Sequence, residues 1–125
     1  MRIKSIDIHN FLSFKSAKLE LAKSYDDPPT LYIIDGINYD TESEDASNGS
    51  GKSTLIGESI MYNLFGRGLR GSKQKVKLND MIRNGTSKMA NSVEYFINSN
   101  DDAGELKISR TKVSDGASTT EVEID

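Results

Sequence analysis

The chain has no cysteine, which excludes disulfides and any thiolate-ligated metal and is compatible with a reducing cytoplasm. It has no apolar run approaching the roughly 20 residues that a helix needs to cross a bilayer. The opening "MRIKSIDIHNF" carries a charged or polar side chain every second or third residue, so no secretory leader is read there. Excess positive charge is also lacking: the net charge is −3, and nothing global advertises nucleic acid. No internal repeat is visible. What remains is a soluble chain of 125 residues, 35% hydrophobic and 28% charged. That suits one small domain with a modest core, or part of a larger one.

Patterning sets the elements. In "RIKSIDIHNF" Ile6 and Ile8 alternate in phase while Ile3 falls out of phase. In "FKSAKLELA" Ala17, Leu19 and Leu21 oppose Lys18 and Glu20. These read as two antiparallel strands, each with one wet face. "KSYDDPP" is loop. "TLYIID" places Leu31–Ile34 in an unbroken apolar row and predicts a strand buried on both faces. After a polar, acidic stretch, apolar residues recur from Lys52 onward at Ile56, Ile60 and Leu64, with Leu55, Met61 and Phe65 beside them. That is helical spacing, and Gly66 stands where a helix would stop. "LNDMIRNG" suggests one short helical turn. Three strands follow, marked by Val93, Tyr95 and Ile97, by Leu106, Ile108 and Arg110, and by Val122 and Ile124. "NSNDDAG" and "SDGAS" supply turns between them. The expected architecture is a mixed α/β lobe.

The chemistry is concentrated in "NGSGKST" (Asn48–Thr54). Phosphoryl oxygens can be held by a nest of backbone N–H groups only if the backbone comes very close, which is a task for glycine. A following helix adds the positive end of its dipole. Here Gly49 and Gly51 allow the approach, with Asn48 and Ser50 completing the nest. Lys52 reaches the β/γ-phosphates, Ser53 presents a hydroxyl to Mg²⁺, and Thr54 is in reach of the α-phosphate. The expected ligand is a nucleotide with Mg²⁺. A flexible polar loop capped by Ser53 would give the same short string. The upstream apolar row and the immediate helix favour the phosphate loop.

The full pattern wants an outer glycine where this chain has Ala46. Two alignments satisfy it. In one, Gly36–Asn38 forms the first half of the loop and an insertion separates it from Gly49. In the other, preferred here, "ASNGSGKS" is contiguous and Ala46 is tolerated. Both need the acidic insert, residues 39–48, to bulge away, because Asp40, Glu42, Glu44 and Asp45 would repel a triphosphate. The insert reads as a surface loop, with partner docking as the sharper alternative. Arg67, Arg70, Lys73, Lys75 and Lys77 form a basic cluster after the helix. A solvated loop is favoured over a contact with DNA backbone, because no aromatic side chains interleave to stack bases.

On these residues the chain resembles the N-terminal ATPase lobe of the SbcC-type DNA double-strand-break-repair ATPases, relatives of the SMC proteins with an ABC-type head. "IKSIDIHNFLSFKSAKLEL" is similar to that family's first two strands, "NGSGKSTLIGESIMYNLFGR" to its loop and first helix, and "LNDMIRNGTSKMANSVEYF" to the next turn and strand. The resemblance implies an α/β P-loop NTPase fold: a mixed sheet with one P-loop helix and a terminal antiparallel meander. It implies a partial head over residues 1–125, in which Lys52 is the catalytic cation. It also implies a C-terminal ATPase lobe on the same or a separate chain, a homodimeric head, a partner nuclease, double-stranded DNA as the object, and a cytoplasmic location with no membrane contact.

The chain departs from the family at Leu12, where an arginine is usual. It also lacks the glutamine loop, the heptads, the Ser-Gly-Gly signature, the acidic Walker B pair and the switch histidine. His9, Ser13 and Lys15 lie near Leu12, and His9 reads as surface or core rather than functional. The rival readings are a small-molecule kinase, disfavoured by the two strands before the loop, and an interaction module that keeps the loop as an anion site.

Overall fold

A computed structural model describes residues 1–28, 31–33, 54–67, 77–99 and 102–125. Its frame is a five-stranded sheet: β1 (Arg2–Phe11), β2 (Phe14–Glu20), β3 (Lys88–Ser99), β4 (Asp102–Val113) and β5 (Ser118–Ile124), ordered β2-β1-β3-β4-β5. Every described pairing is antiparallel. β1–β2, β3–β4 and β4–β5 are hairpins. The long-range pair is β1–β3, and the segment between them carries the helix.

The out-of-phase Ile3 has a structural answer. Ile3 pairs with Tyr95 and Ser5 with Glu94, so two steps along β1 oppose one along β3. Lys4 is the extra residue of a β-bulge. The bulge resets the alternation and returns Ile3 to the face that carries Ile6, Val93 and Tyr95. It also turns the Lys4 carbonyl to accept the N–H of Leu21 (2.8 Å) and of Ala22 (3.3 Å).

Register then arranges the apolar face in rows. Leu19, Ile6, Val93, Ile108 and Val122 are successive partners across all five strands. The next row reads Ala17, Ile8, Asn91, Arg110 and Thr120, and its polar half becomes important below. Ile6, Ile8, Met89, Val93 and Tyr95 are fully buried. The opposite face is wet and charged; Lys4 bridges Glu94 (3.6 Å) and Glu105 (3.2 Å) there. A cavity of about 650 Å³ opens on that side, lined in part by Lys4, Lys18, Lys23 and Lys107 and by Asp7, Glu20, Asp27 and Glu94. Its four cations and four anions leave the lining with no net formal charge.

Among the described residues one helix, α1 (Ser59–Phe65), covers the apolar face and continues from a π-helical turn, Thr54–Glu58. Gly66 ends it as expected, with φ 74° and its N–H on the Tyr62 carbonyl at 2.8 Å; only glycine takes that conformation without strain. The expected short turn is a 3₁₀ turn, Leu78–Met81, and it closes one end of the core. Leu12 N–H donates to the Met81 carbonyl (2.7 Å), and Arg83 N–H to the Asn10 carbonyl (2.8 Å). Asn79 and Asp115 hydrogen bond to each other (2.7 Å), tying the same turn to the β4–β5 hairpin. Phe11, buried between, packs on Tyr62 with ring centroids 5.7 Å apart.

One expectation is corrected. Leu31, Tyr32 and Ile33 are not in a strand, and Leu31 and Ile33 are 87% and 86% exposed. A doubly buried strand needs a neighbour to take its main-chain hydrogen bonds, and no described strand pairs with these residues; Ile34 falls outside the described residues. The helix, moreover, does not bury its apolar stripe most deeply. Ile56, Ile60 and Leu64 are partly buried against the core and Phe65 is 64% exposed, whereas Glu58, Ser59, Tyr62 and Asn63 are buried.

Ile6→Ala should cost about 2–5 kcal/mol through the cavity it leaves at the sheet centre. Val122→Ala, on the exposed edge strand, should stay within about 0.5 kcal/mol. Urea midpoints of the two variants check the contrast.

Candidate functional site

The phosphate-loop residues Gly36, Asn48, Gly49, Ser50, Gly51, Lys52 and Ser53 lie outside the described residues, as do Arg70, Lys73 and Lys75 of the basic cluster and the acidic insert. Of the predicted site, the structure places the backbone of Thr54, the first residue of the π-helical turn. What it describes fully is the platform behind the loop: the helix that starts where the motif ends, and the way that helix is fixed to the sheet. A π turn directly after the motif is notable, since such turns are uncommon and concentrate at functional sites. The Ser59 hydroxyl bonds back to the Leu55 carbonyl at the junction with α1.

Fixation is polar. The Asn63 side-chain amide donates to Asn91 Oδ1 (2.7 Å) and to the Ile108 carbonyl (2.8 Å). Its own Oδ1 accepts from the Tyr95 hydroxyl (2.8 Å). The Asn91 amide returns a bond to the Ser59 carbonyl (3.0 Å). Arg110 then donates from Nε to the Asn63 carbonyl (2.7 Å) and from Nη1 to Thr120 Oγ1 (2.9 Å). Its guanidinium sits 6.0 Å from the centroid of the Tyr62 ring. Asn63, Tyr95, Ser59 and Asn91 are all 0–1% exposed. Groups this deep are stabilising only when their hydrogen bonds are made, and both asparagines use their donors and acceptors on named partners. The helix is thus seated on the Asn91–Arg110–Thr120 half-row of the sheet.

Burial shifts two phenols. Tyr95 is pushed up to about 12 by desolvation, with the Arg110 charge opposing. Tyr62 is raised for the same reason; Ser118, too poorly placed for a hydrogen bond, and Arg110 counter it only in part. Both tyrosines therefore stay neutral across the physiological range, and the Tyr95 hydroxyl stays a donor to Asn63.

The remaining sequence candidates separate. Leu12 takes φ 51°, a left-handed conformation costly for leucine, and packs against the core. His9 is a surface residue 3.2 Å from Asp7. Arg67 and Lys77 are exposed. No group of three or more His, Asp or Glu side chains among the described residues could hold a metal ion. Sequence reasoning missed the Ser59–Asn63–Asn91–Arg110 arrangement. Its signal was present: Ser59 and Asn63 stand four apart within an apolar helical run, and Asn91 is in phase with Val93 and Tyr95.

A neutral group whose folded pKa is raised stabilises the fold fully below its unfolded value, and that contribution is lost as pH rises through the folded one. Stability should therefore fall between about pH 10 and 12 as unfolded-state tyrosines ionise first. Tyr95→Phe should weaken that dependence while lowering stability by about 1–3 kcal/mol at neutral pH, because Asn63 Oδ1 loses its donor. Urea titrations at neutral and alkaline pH check both effects.

Comparison with known proteins bears on what this platform belongs to. The family model AAA_23, described as an AAA domain, matches residues 5–125. Two solved structures of the recombination mediator protein RecF in the RecFOR pathway superpose on the chain. The RecF-ATP structure is 24% identical, with TM-score 0.69, and the match covers 98% of this chain and 26% of that one. The RecF-ATPrS structure is also 24% identical, with TM-score 0.60, covering 96% and 26%. No curated protein matches the chain. At this identity the likeness speaks to fold alone: the chain is built like the part of RecF on which it superposes, and it spans 26% of those chains' length. By its match over nearly the whole of its length, the chain belongs to the AAA_23 family of AAA domains.

Proposed function

We propose that this chain is the N-terminal ATP-binding lobe of a DNA repair or recombination ATPase of the SbcC type, with residues 1–125 forming part of a head and residues 39–48 an acidic insert beside or within its phosphate loop. The observation that carries this reading is positional. The run Asn48–Thr54 ends at the head of the helix that the buried asparagines fix to the sheet, which is the arrangement a phosphate nest requires. The AAA-domain match adds support.

In this reading the amides of Asn48, Gly49, Ser50 and Gly51 receive phosphate oxygens, and Gly36 contributes to the first half of the loop only in the alignment that an insertion interrupts. Lys52 neutralises charge at the β/γ-phosphates, Thr54 reaches the α-phosphate, and Ser53 would hold Mg²⁺. The ion, when bound, would offset charge on the phosphates. This chain's own residues bind and orient; the carboxylate that would activate water belongs to the C-terminal lobe, on the same or a separate chain. ATP shared between two such heads would bring them together and so control a partner nuclease acting on double-stranded DNA ends. The compartment implied is the cytoplasm. Among the described residues no helix is long and apolar enough to cross a membrane.

Thermal unfolding with Mg-ATP tests the binding step. Ligand at about 100 times its Kd should stabilise the chain by roughly 2.7 kcal/mol, with a matching rise in Tm, and Lys52→Ala should abolish the rise. No shift at millimolar nucleotide would point instead to an interaction module with a vestigial anion site. The chain by itself should hydrolyse almost no ATP; adding the C-terminal lobe should restore DNA-stimulated hydrolysis, whereas a small-molecule kinase would be indifferent to it.

A further inference from the structure

Asn84 and Gly85 stand at the tip of the connection between the 3₁₀ turn and β3. Two asparagines of the chain precede a glycine, Asn48 and Asn84, and the structure describes the second. Thr86 N–H donates to the Arg83 carbonyl (3.1 Å), Gly85 takes φ 83°, and Asn84 keeps a negative φ. That is a type II turn, whose third position calls for glycine. Both tip residues are exposed, and a Cβ built on Gly85 would meet nothing within 4 Å. Among the described residues nothing accepts the Gly85 N–H, and nothing bonds to the Asn84 side chain.

We infer that Asn84 is a site of spontaneous covalent modification: its side chain cyclises onto the Gly85 nitrogen and opens to aspartate and isoaspartate, at a rate that Thr86 restrains by clamping the turn. The Gly85 nitrogen forms a bond to Asn84 Cγ, the Cγ–Nδ2 bond breaks, and ammonia leaves with the proton that the Gly85 nitrogen gave up. Water then opens the cyclic imide at either of its two carbonyls. Asparagine is among the heat-labile side chains, and glycine, having no Cβ, leaves the attacking nitrogen uncrowded. Closing the ring requires Asn84 to rotate about its Cα–C bond. That rotation breaks the bonds that Thr86 makes to the Arg83 carbonyl, from N–H and from Oγ1 (2.6 Å). Opening one exposed turn costs far less than unfolding the sheet, so the native protein reaches the reactive geometry. Asn10, Asn79 and Asn91 are guarded twice. Their amides are held by the Lys88 carbonyl (3.1 Å), Asp115 (2.7 Å) and the Ser59 carbonyl (3.0 Å), and each precedes a residue with a side chain. The product sets a carboxylate between Arg83 and Lys88 and takes the net charge one unit below −3. Its isoaspartyl form also lengthens the main chain within the turn.

The test ages the 125-residue chain and its variants at neutral pH, well below every midpoint. Peptides covering each asparagine are then followed by mass spectrometry, with isoaspartate scored separately. Asn84 should convert to a mixture of aspartate and isoaspartate, several-fold faster than Asn10 or Asn79. Asn84→Gln should abolish the conversion, and Gly85→Ala should slow it several-fold. Thr86→Val, which keeps the shape but loses the hydroxyl, should speed it several-fold, and Thr86→Ser should stay close to wild type. Leu19→Ala, on the far strand β2, should lower Tm and leave the rate unchanged. Conversion at Asn84 no faster than at Asn10 and Asn79 overturns the site, and aspartate without isoaspartate overturns the cyclic route. A wild-type rate in Thr86→Val overturns the clamp. So does a Leu19→Ala rate that rises in proportion to its lost stability, since reaction would then need the whole sheet to unfold.

Discussion

The fold depends on one buried amide. Asn63 lies in the middle of the helix–sheet contact, and its side chain makes three hydrogen bonds, to Asn91, Ile108 and Tyr95. An unpaired amide at this depth would cost on the order of 1–3 kcal/mol, so the helix has one acceptable rotation and one acceptable axial position on the sheet. Leucine at this place would bury more apolar area while leaving the helix free to slide. A nucleotide site at the end of that helix needs the opposite property, a fixed origin for the amides that follow from it.

Much of this was legible in the residues. Strands β1 to β5, the 3₁₀ turn and the stop at Gly66 follow from alternation, turn chemistry and glycine's conformational freedom. Ile3 was legible as an anomaly, and the bulge at Lys4 explains it: period-2 reasoning holds on each side of the bulge and fails across it. Other features were hidden for physical reasons. Ile56, Ile60 and Leu64 announce an apolar helix face, yet burial follows the partner surface, and the partner row on β3 and β4 carries Asn91 and Arg110. Hydrophobic periodicity cannot register a polar residue whose bonding groups are satisfied from another element 28 or 47 positions away.

Leu31–Ile33 teach a different lesson. An unbroken apolar row describes what a segment needs, namely cover on both faces, and does not say that a neighbour within reach supplies it. The phosphate loop stands differently again. Its residues lie outside those described, so the case for it is chemical and positional: glycines, lysine and hydroxyl in the required order, ending at the head of a helix that is bolted to the sheet. Family membership over residues 5–125 and the likeness of fold to RecF fit that order.

The most direct measurement is a crystal structure of the chain with Mg²⁺ and a non-hydrolysable ATP analogue. The expected result is a β-phosphate within hydrogen-bond distance of the amides from Gly49 to Lys52, with Lys52 Nζ on the β/γ oxygens and the Asn63–Asn91 contact unbroken beneath. Amides that point away from a common centre, or acidic side chains of residues 40–45 filling that place while nucleotide is present, would contradict the account.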